Sequence, residues 1–253
     1  MKTIKPYKKE IPSLTTEQMM EVDRLMIEEY GIQLIQMMEN AGRCLAIVAV
    51  RKFLLKKLSK KTVIVLAGTG GNEGGALVAA RRLHNWGANV RVYLAANEDK
   101  MTEVPLKQLR ILKKMGVSIQ NGEELVTLKK ADLIIDGLIG YSIKGNPRGM
   151  TKSMIDWTNR QTDTPILSLD TPSGINLTTG TIHEPTIRAN ATLTLALPKK
   201  GLFKNEVLLF RGDLYLADIS VPPKLYAASG INLEVTPKLF AKADILHLST
   251  VPN

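Results

Sequence analysis

Two aspartates close apolar runs in this chain. Asp136 ends Asp132-Leu-Ile-Ile-Asp136, and Asp170 ends Pro165-Ile-Leu-Ser-Leu-Asp170. A third apolar run, Val63-Ile-Val-Leu-Ala67, opens into the glycine-dense turn Gly68-Thr-Gly-Gly-Asn-Glu-Gly-Gly75. Glycine admits positive φ and lets bare backbone approach a ligand. A helix that follows such a turn directs its unpaired N–H groups and its positive dipole end at an anion. A carboxylate at a buried strand end is costly unless it is paired, so a cation or a substrate hydroxyl is the partner this pattern requires.

Each segment also has an ordinary structural reading. The glycine turn lacks the Gly-Lys-Ser/Thr of a Walker loop and the usual dinucleotide spacing. Glu73 would sit badly beside a pyrophosphate unless something offset its charge. Asp136 alone reads as a helix cap, and Asp170-Thr-Pro-Ser-Gly174 as a proline-centred turn. Together they ask for more. In a parallel α/β sheet the carboxyl ends of the strands lie on one edge, where ligands bind at a topological switch point.

The elements that would place them follow from periodicity. Residues 1–13, with Lys2, Lys5, Lys8 and Lys9, read as a basic, loosely held arm. Thr15-Thr-Glu-Gln18 is a capping box that starts a helix burying Met19, Val22, Leu25 and Met26. Gly31 breaks it, and a second helix is expected from Gln33 to Leu58, with Met37, Ala41, Leu45 and Val48 on its packed face. The βα alternation then predicts strands at Thr62–Ala67, Asn89–Ala95, Val117–Gln120, Asp132–Leu138, Pro165–Asp170, Ala191–Ala196 and Asp213–Val221. Helices are expected at Gly75–Asn85, Glu103–Lys114 and Thr151–Arg160. This order implies a three-layer, Rossmann-like α/β sandwich, a mainly parallel sheet with helices on both faces. No linker divides the chain, so residues 1–253 read as a single domain. Residues 222–253 form a tail without an assigned element whose last residues fray.

Bulk composition narrows the function classes. Apolar residues make up 44% and charged residues 23%, ordinary for a globular protein. The net charge of +10 suits anionic ligands, but the lysines are scattered. Aromatics at 5% argue against a stacking platform for single-stranded nucleic acid. The run Lys52, Lys56, Lys57, Lys60 and Lys61 reads as the wet face and end of the second helix. The single cysteine, Cys44, reads as a buried small hydrophobe and permits no internal disulfide. His84, His183 and His247 show no zinc spacing. With no signal-type segment and no run of membrane-spanning length, a cytoplasmic protein with no membrane role is expected.

The ordered motifs resemble the YjeF N-terminal domain family, whose enzymes are NAD(P)H-hydrate epimerases, over roughly Leu14 to Val221. Leu14-Thr-Thr-Glu-Gln-Met-Met-Glu-Val-Asp23, Tyr30-Gly-Ile32 and Met38-Glu-Asn-Ala-Gly42 resemble its opening helices. Gly68 to Arg81 resembles its Gly-Pro-Gly-Asn-Asn-Gly-Gly-Asp-Gly-Leu-Val-Ala-Ala-Arg loop. Asp132 to Gly140 with Ser142-Ile-Lys-Gly145 resembles its second loop. Leu169-Asp-Thr-Pro-Ser-Gly174 and Pro198-Lys-Lys200 resemble its Asp-Ile-Pro-Ser-Gly and Pro-Lys elements, and Gly212 to Ile219 its last strand.

The resemblance implies repair of hydrated NADH and NADPH by interconversion of the R and S hydrates, which feeds a dehydratase on a separate polypeptide. It implies a potassium ion held by Asn72, Asp136 and Ser173. It implies dinucleotide contacts from Gly71, Asn72, Glu73, Gly74 and Gly75, and from Gly140, Tyr141, Ser142, Ile143, Lys144, Gly145 and Asn146. Asp170 would bind substrate and serve as acid/base, since the hydrate carries its hydroxyl on a carbon beside the ring nitrogen and a proton shuttle helps it leave and return on the other face. A homodimer is also implied. The first loop departs from the family: Gly71 replaces an Asn, Glu73 a Gly, Gly75 the Asp and Ala76 a Gly. Glu73 then either supplies the missing carboxylate, or the loop belongs to a non-catalytic nucleotide- or RNA-binding module, a use the family's fold also has in an RNA-decapping enhancer and an apolipoprotein-binding protein.

Overall fold

The computed structural model describes residues 4–55, 57–127 and 130–248. Lys2, Lys56 and the chain end at 249–253 lie outside the described residues. The elements in chain order are β1 (Pro6–Tyr7), α1 (Thr16–Glu28), α2 (Leu34–Val48), β2 (Thr62–Ala67), α3 (Asn72–Asn85), β3 (Asn89–Leu94), α4 (Glu103–Lys114) and β4 (Ser118–Asn121). Then come β5 (Leu133–Gly137), α5 (Gly149–Asn159), β6 (Ile166–Leu169), β7 (Ala191–Leu195), α6 (Leu208–Arg211), β8 (Asp213–Ala217) and β9 (Ile245–Leu248).

The strands form one sheet in the order β1-β9-β8-β7-β6-β5-β2-β3-β4. Every pairing from β4 through to β8 is parallel, and β9 runs antiparallel to β8. Each strand sends alternate residues to opposite faces. Val63, Val65, Leu133 and Ile135 enter the core under α2, α3 and α4, whereas Ile64, Leu66 and Ile134 enter the core under α5. The expected α/β sandwich with helices on both faces is therefore the observed fold. The chain leaves β2 outward through β3 and β4, then returns to β5 on the other side of β2. The β2/β5 border is the switch point where crossovers diverge and a crevice opens.

Several boundaries differ from expectation. The capping box forms as read: Gln18 N donates to Thr15 Oγ1 at 3.2 Å and Thr15 N to Gln18 Oε1 at 2.8 Å. The second helix does not reach Leu58. It gives way to a π-helical stretch, Ala49–Leu54, and stops at Leu55, whose φ is 44°. The lysine run is accordingly not one helix face. Lys52 pairs with Asp213, and Lys61 pairs with Asp132 at 2.7 Å at the entrance to β2. β8 ends at Ala217, four residues short of the predicted Val221, where Asp218 N bonds to Asp244 O at 2.9 Å. Nor are the described parts of the two terminal segments loose, whereas the expected fraying of the last residues lies outside the described residues. Tyr7 of β1 pairs with Leu248 of β9, Ile11 is buried, and β9 is hydrogen-bonded along β8. Cys44 is buried as expected, and burial pushes its thiol up to about 12.

Candidate functional site

A cavity of about 340 Å³ opens at the β2/β5 switch point, within the size range of small-molecule sites. Three strand ends build it. From β2 come Gly68, Thr69, Gly70 and Gly71; from β5, Leu138 to Ser142; from β6, Leu169 and Asp170. Two helices roof it with Met19 and Asp23 of α1 and Leu34, Met37, Met38 and Ala41 of α2, and Lys199 enters from the segment after β7. The first two loops touch. A Cβ on Gly140 would lie 3.2 Å from Asn72 Cβ, and one on Gly70 would lie 3.6 Å from Ser142 Oγ.

α3 begins at Asn72, not at Gly75 as expected, because Gly71 turns to φ 133° and caps it. Asn72 and Glu73 therefore lie in the helix's first turn. Asn72 lines the cavity, and its Nδ2 donates to Leu169 O at 3.0 Å. Glu73 does not line the cavity. It is fully buried and folds back to accept Gly71 N on Oε2 at 2.6 Å, while its Oε1 has no partner among the described residues. Burial pushes its carboxyl up, against the pull of the backbone amides of the glycine turn. Gly75 has no room for a side chain, since a Cβ would lie 2.7 Å from Leu169 Cδ2. The loop's departures thus form a close-packed turn with an internal carboxylate, and Glu73 supplies no carboxylate to the cavity.

Asp136 is fully buried beneath this floor. Its Oδ1 accepts from Ser173 Oγ at 2.6 Å and Leu138 N at 3.2 Å, and its Oδ2 accepts from Ser168 Oγ at 2.7 Å and Ser173 N at 2.9 Å. Burial pushes its carboxyl up and these four donors pull it down. Among the described residues no basic side chain pairs with it. Asp136 and Ser173 are thus brought together but do not line the cavity, whereas Asn72 lines it and is bonded to Leu169 and not to either of them.

Asp170 sits at the cavity floor on backbone turned to φ 64°, a conformation that costs a non-glycine residue about 1–3 kcal/mol unless its surroundings hold it. What holds it is Lys199. This ammonium is fully buried and donates to Asp170 Oδ1 at 2.5 Å, Leu195 O at 2.9 Å and Thr194 Oγ1 at 3.3 Å. All three of its donors are used. Thr194 Oγ1 also donates to Asp170 Oδ1 at 3.2 Å.

Of the remaining predicted contacts, Gly71, Gly75, Gly140, Tyr141 and Ser142 line the cavity. Gly74, Ile143, Lys144, Gly145 and Asn146 do not. Lys144, Gly145 and Asn146 are exposed, and Asn146 Oδ1 accepts from Glu184 N at 3.2 Å. Two charged groups that line the cavity, Lys199 and Asp23, carry no local sequence signal of it. Lys199 was visible only as part of Pro198-Lys-Lys200, since a lysine reads as surface until its buried partner is known. Asp23 lies on the polar side of a capped amphipathic helix, where a carboxylate reads as solvated. Tyr141 Oη donates to its Oδ2 at 2.8 Å.

Residues 34–201 match the model of the family described as YjeF-related protein N-terminus. The chain belongs to this family. A YjeF-related relative named NAD(P)H-hydrate epimerase, from Dehalogenimonas lykanthroporepellens, is 40% identical over 228 residues, covering 88% of this chain and 87% of that protein. A Moorella thermoacetica protein named bifunctional NAD(P)H-hydrate repair enzyme Nnr is 33% identical over 87% of this chain. The chain spans only 42% of that relative's length. Among solved structures, yeast ynu0 (YNL200c) superposes with a TM-score of 0.80 at 27% identity, covering 94% of this chain and all of the yeast chain. The YjeF-related match begins at the first residue of α2, so it includes the glycine loop, both aspartate loops and Lys199 and leaves out α1.

Proposed function

We propose that the protein is an NAD(P)H-hydrate epimerase, an isomerase that interconverts the R and S forms of hydrated NADH and NADPH. The observation that carries this reading is the Asp170–Lys199 pair at the floor of a switch-point cavity. The names and coverage of the relatives support it. Asp170 Oδ2 takes no hydrogen bond from the described residues and faces substrate chemistry with one oxygen free. Asp170 would bind the hydrated ring and carry a proton to or from its hydroxyl. Gly71, Asn72 and Gly75 of the first loop and Gly140, Tyr141 and Ser142 of the second, which line the cavity, would hold the phosphates.

Asn72, Asp136 and Ser173 would hold a potassium ion. The set is one carboxylate with neutral oxygens, suited to a hard cation of low charge. No cluster of three or more His, Cys, Asp or Glu side chains capable of holding a metal occurs among the described residues. A bound cation there would offset the buried Asp136 charge. Met20, Ile27, Tyr30, Leu34 and Ile35 are exposed on and beside α1 and α2, which supports a homodimer through this face. A single domain over 1–253, a cytoplasmic setting and coupling to a separate dehydratase complete the reading. Among the described residues no helix is long and apolar enough to cross a membrane.

The test is direct. Purified protein is given the R hydrate, and conversion to S is followed beside the spontaneous rate. Acceleration that is lost in Asp170→Ala supports the reading. No acceleration, or binding of nucleotide or RNA without turnover, overturns it in favour of a non-catalytic module.

A further inference from the structure

Asp170 is not the only carboxylate in the cavity. Asp23 reaches it from α1, a different wall and a segment outside the family match. Its one hydrogen bond among the described residues comes from Tyr141 Oη, and Tyr141 itself lines the cavity from the second loop. The geometry points to Asp23, held by Tyr141, as a second catalytic acid/base group that works with Asp170 in the inversion. This rests on the epimerase reading above.

Inversion at one ring carbon needs a proton donor and a proton acceptor that serve different faces. Two carboxylates entering from different elements meet that need. In the R-to-S direction the Asp23 O–H protonates the substrate hydroxyl. The C–O bond breaks, its electron pair leaves with water, and the ring-nitrogen lone pair forms a C=N bond. A water then adds to the other face, the C=N pair returns to nitrogen, and the released proton goes to the Asp170 carboxylate. One water is lost, one is gained and nothing is oxidised. In the opposite direction the two carboxyls exchange roles, and solvent resets the protons between turnovers.

Electrostatics agree with this division of labour. Burial lifts Asp23 to about 6, with the Asp170 charge adding to the rise, and the Tyr141 hydrogen bond and Lys199 charge oppose it. Tyr226, on the segment packed against α1, is the other titratable group coupled to it. Burial and the Asp23 charge both push the Tyr141 phenol up, so it stays a donor. A purely structural latch between α1 and the second loop would use the same hydrogen bond without using the proton.

The pH dependence of kcat for conversion of the R hydrate separates the two. For the parent, kcat is expected to fall as pH rises through about 6, where Asp23 loses its proton. Asp23→Asn should lower kcat by about 100-fold or more, within the range of general acid catalysis. It should leave KM within about threefold and abolish that limb, and Asp23→Glu should restore part of the rate. Tyr141→Phe, which keeps the ring and removes the bond that lowers Asp23, should move the limb to higher pH. It tests the inference even where Asp23→Asn does not fold. An active parent whose Asp23→Asn keeps both kcat and the limb, or whose Tyr141→Phe leaves the limb in place, overturns the role of Asp23 and spares the epimerase reading. A parent with no acceleration overturns both.

Discussion

Lys199 and Asp170 form a buried ion pair, Nζ to Oδ1 at 2.5 Å, in which the lysine is 0% and the aspartate 3% exposed. Desolvating two charges is expensive, and breaking such a pair from one side leaves a bare charge in the interior. Lys199→Met is therefore expected to cost about 3–5 kcal/mol, read by urea unfolding. Lys199→Met with Asp170→Asn should recover most of that loss and none of the activity. Equal stabilities for the single and double variants would show that the pair is not coupled.

Asp136 depends on Ser173 for two of its four hydrogen bonds, one from backbone and one from the hydroxyl. Ser173→Ala removes the hydroxyl from both Asp136 and the oxygen set proposed for potassium. It should raise the potassium concentration for half-maximal activity at least about tenfold, a loss of roughly 1.4 kcal/mol. The titration is run at constant ionic strength with choline as the replacement cation. A parent enzyme indifferent to potassium would remove the ion from the site.

Glu73 gives a stability signature. Its carboxyl is raised in the folded protein from the 4.5 typical of a glutamate, so the native state holds this proton more tightly than the unfolded chain does. Below the unfolded value both states are protonated and nothing is lost. As pH rises from there through the folded value, the native state is progressively destabilised. Glu73→Gln should therefore match the parent near pH 4 and exceed it in urea midpoint at pH 7. A midpoint below the parent's at pH 7 would mean that the ionised carboxylate on Gly71 N is worth more than its burial costs.

Gly75→Asp, which restores the family's residue, is expected to fail as a repair. The new Cβ meets Leu169 Cδ2 at 2.7 Å and Ala41 Cβ at 3.5 Å. Overpacking of this kind costs about 1–3 kcal/mol, seen as a lower melting temperature, with epimerase rate unchanged or reduced. A gain in rate would show that the loop rearranges to admit the carboxylate.

The sheet was legible because β-branched and aliphatic runs mark buried parallel strands. From β2 to β8 each strand begins within one residue of its expected start. The last two strands at one side of the sheet, β1 and β9, were not. Pro6–Tyr7 is two residues long, and Ile245–Leu248 carries no alternation; both are defined by their partners more than by their own residues. The end of α2 was missed because neither glycine nor proline marks the Ala49–Leu54 stretch. At the site, strand-end aspartates and the glycine turn were readable from local pattern. Lys199 and the outcome at Glu73 were not, because each is decided by a group the local pattern does not contain: Asp170 for the lysine, and the amide of Gly71, freed by its φ of 133°, for the glutamate.

The hydrogen bonds that close the cleft join distant parts of the chain. Asn72 to Leu169 spans 97 residues and Tyr141 to Asp23 spans 118. Such closures come late in folding because their loop entropy must be overcome before they reward it. The cleft is thus a property of the finished sheet and of no fragment. On refolding, helical signal returns first and turnover last, and a chain nicked between β5 and β6 keeps its glycine turn but loses enzymatic competence unless the two pieces dock again.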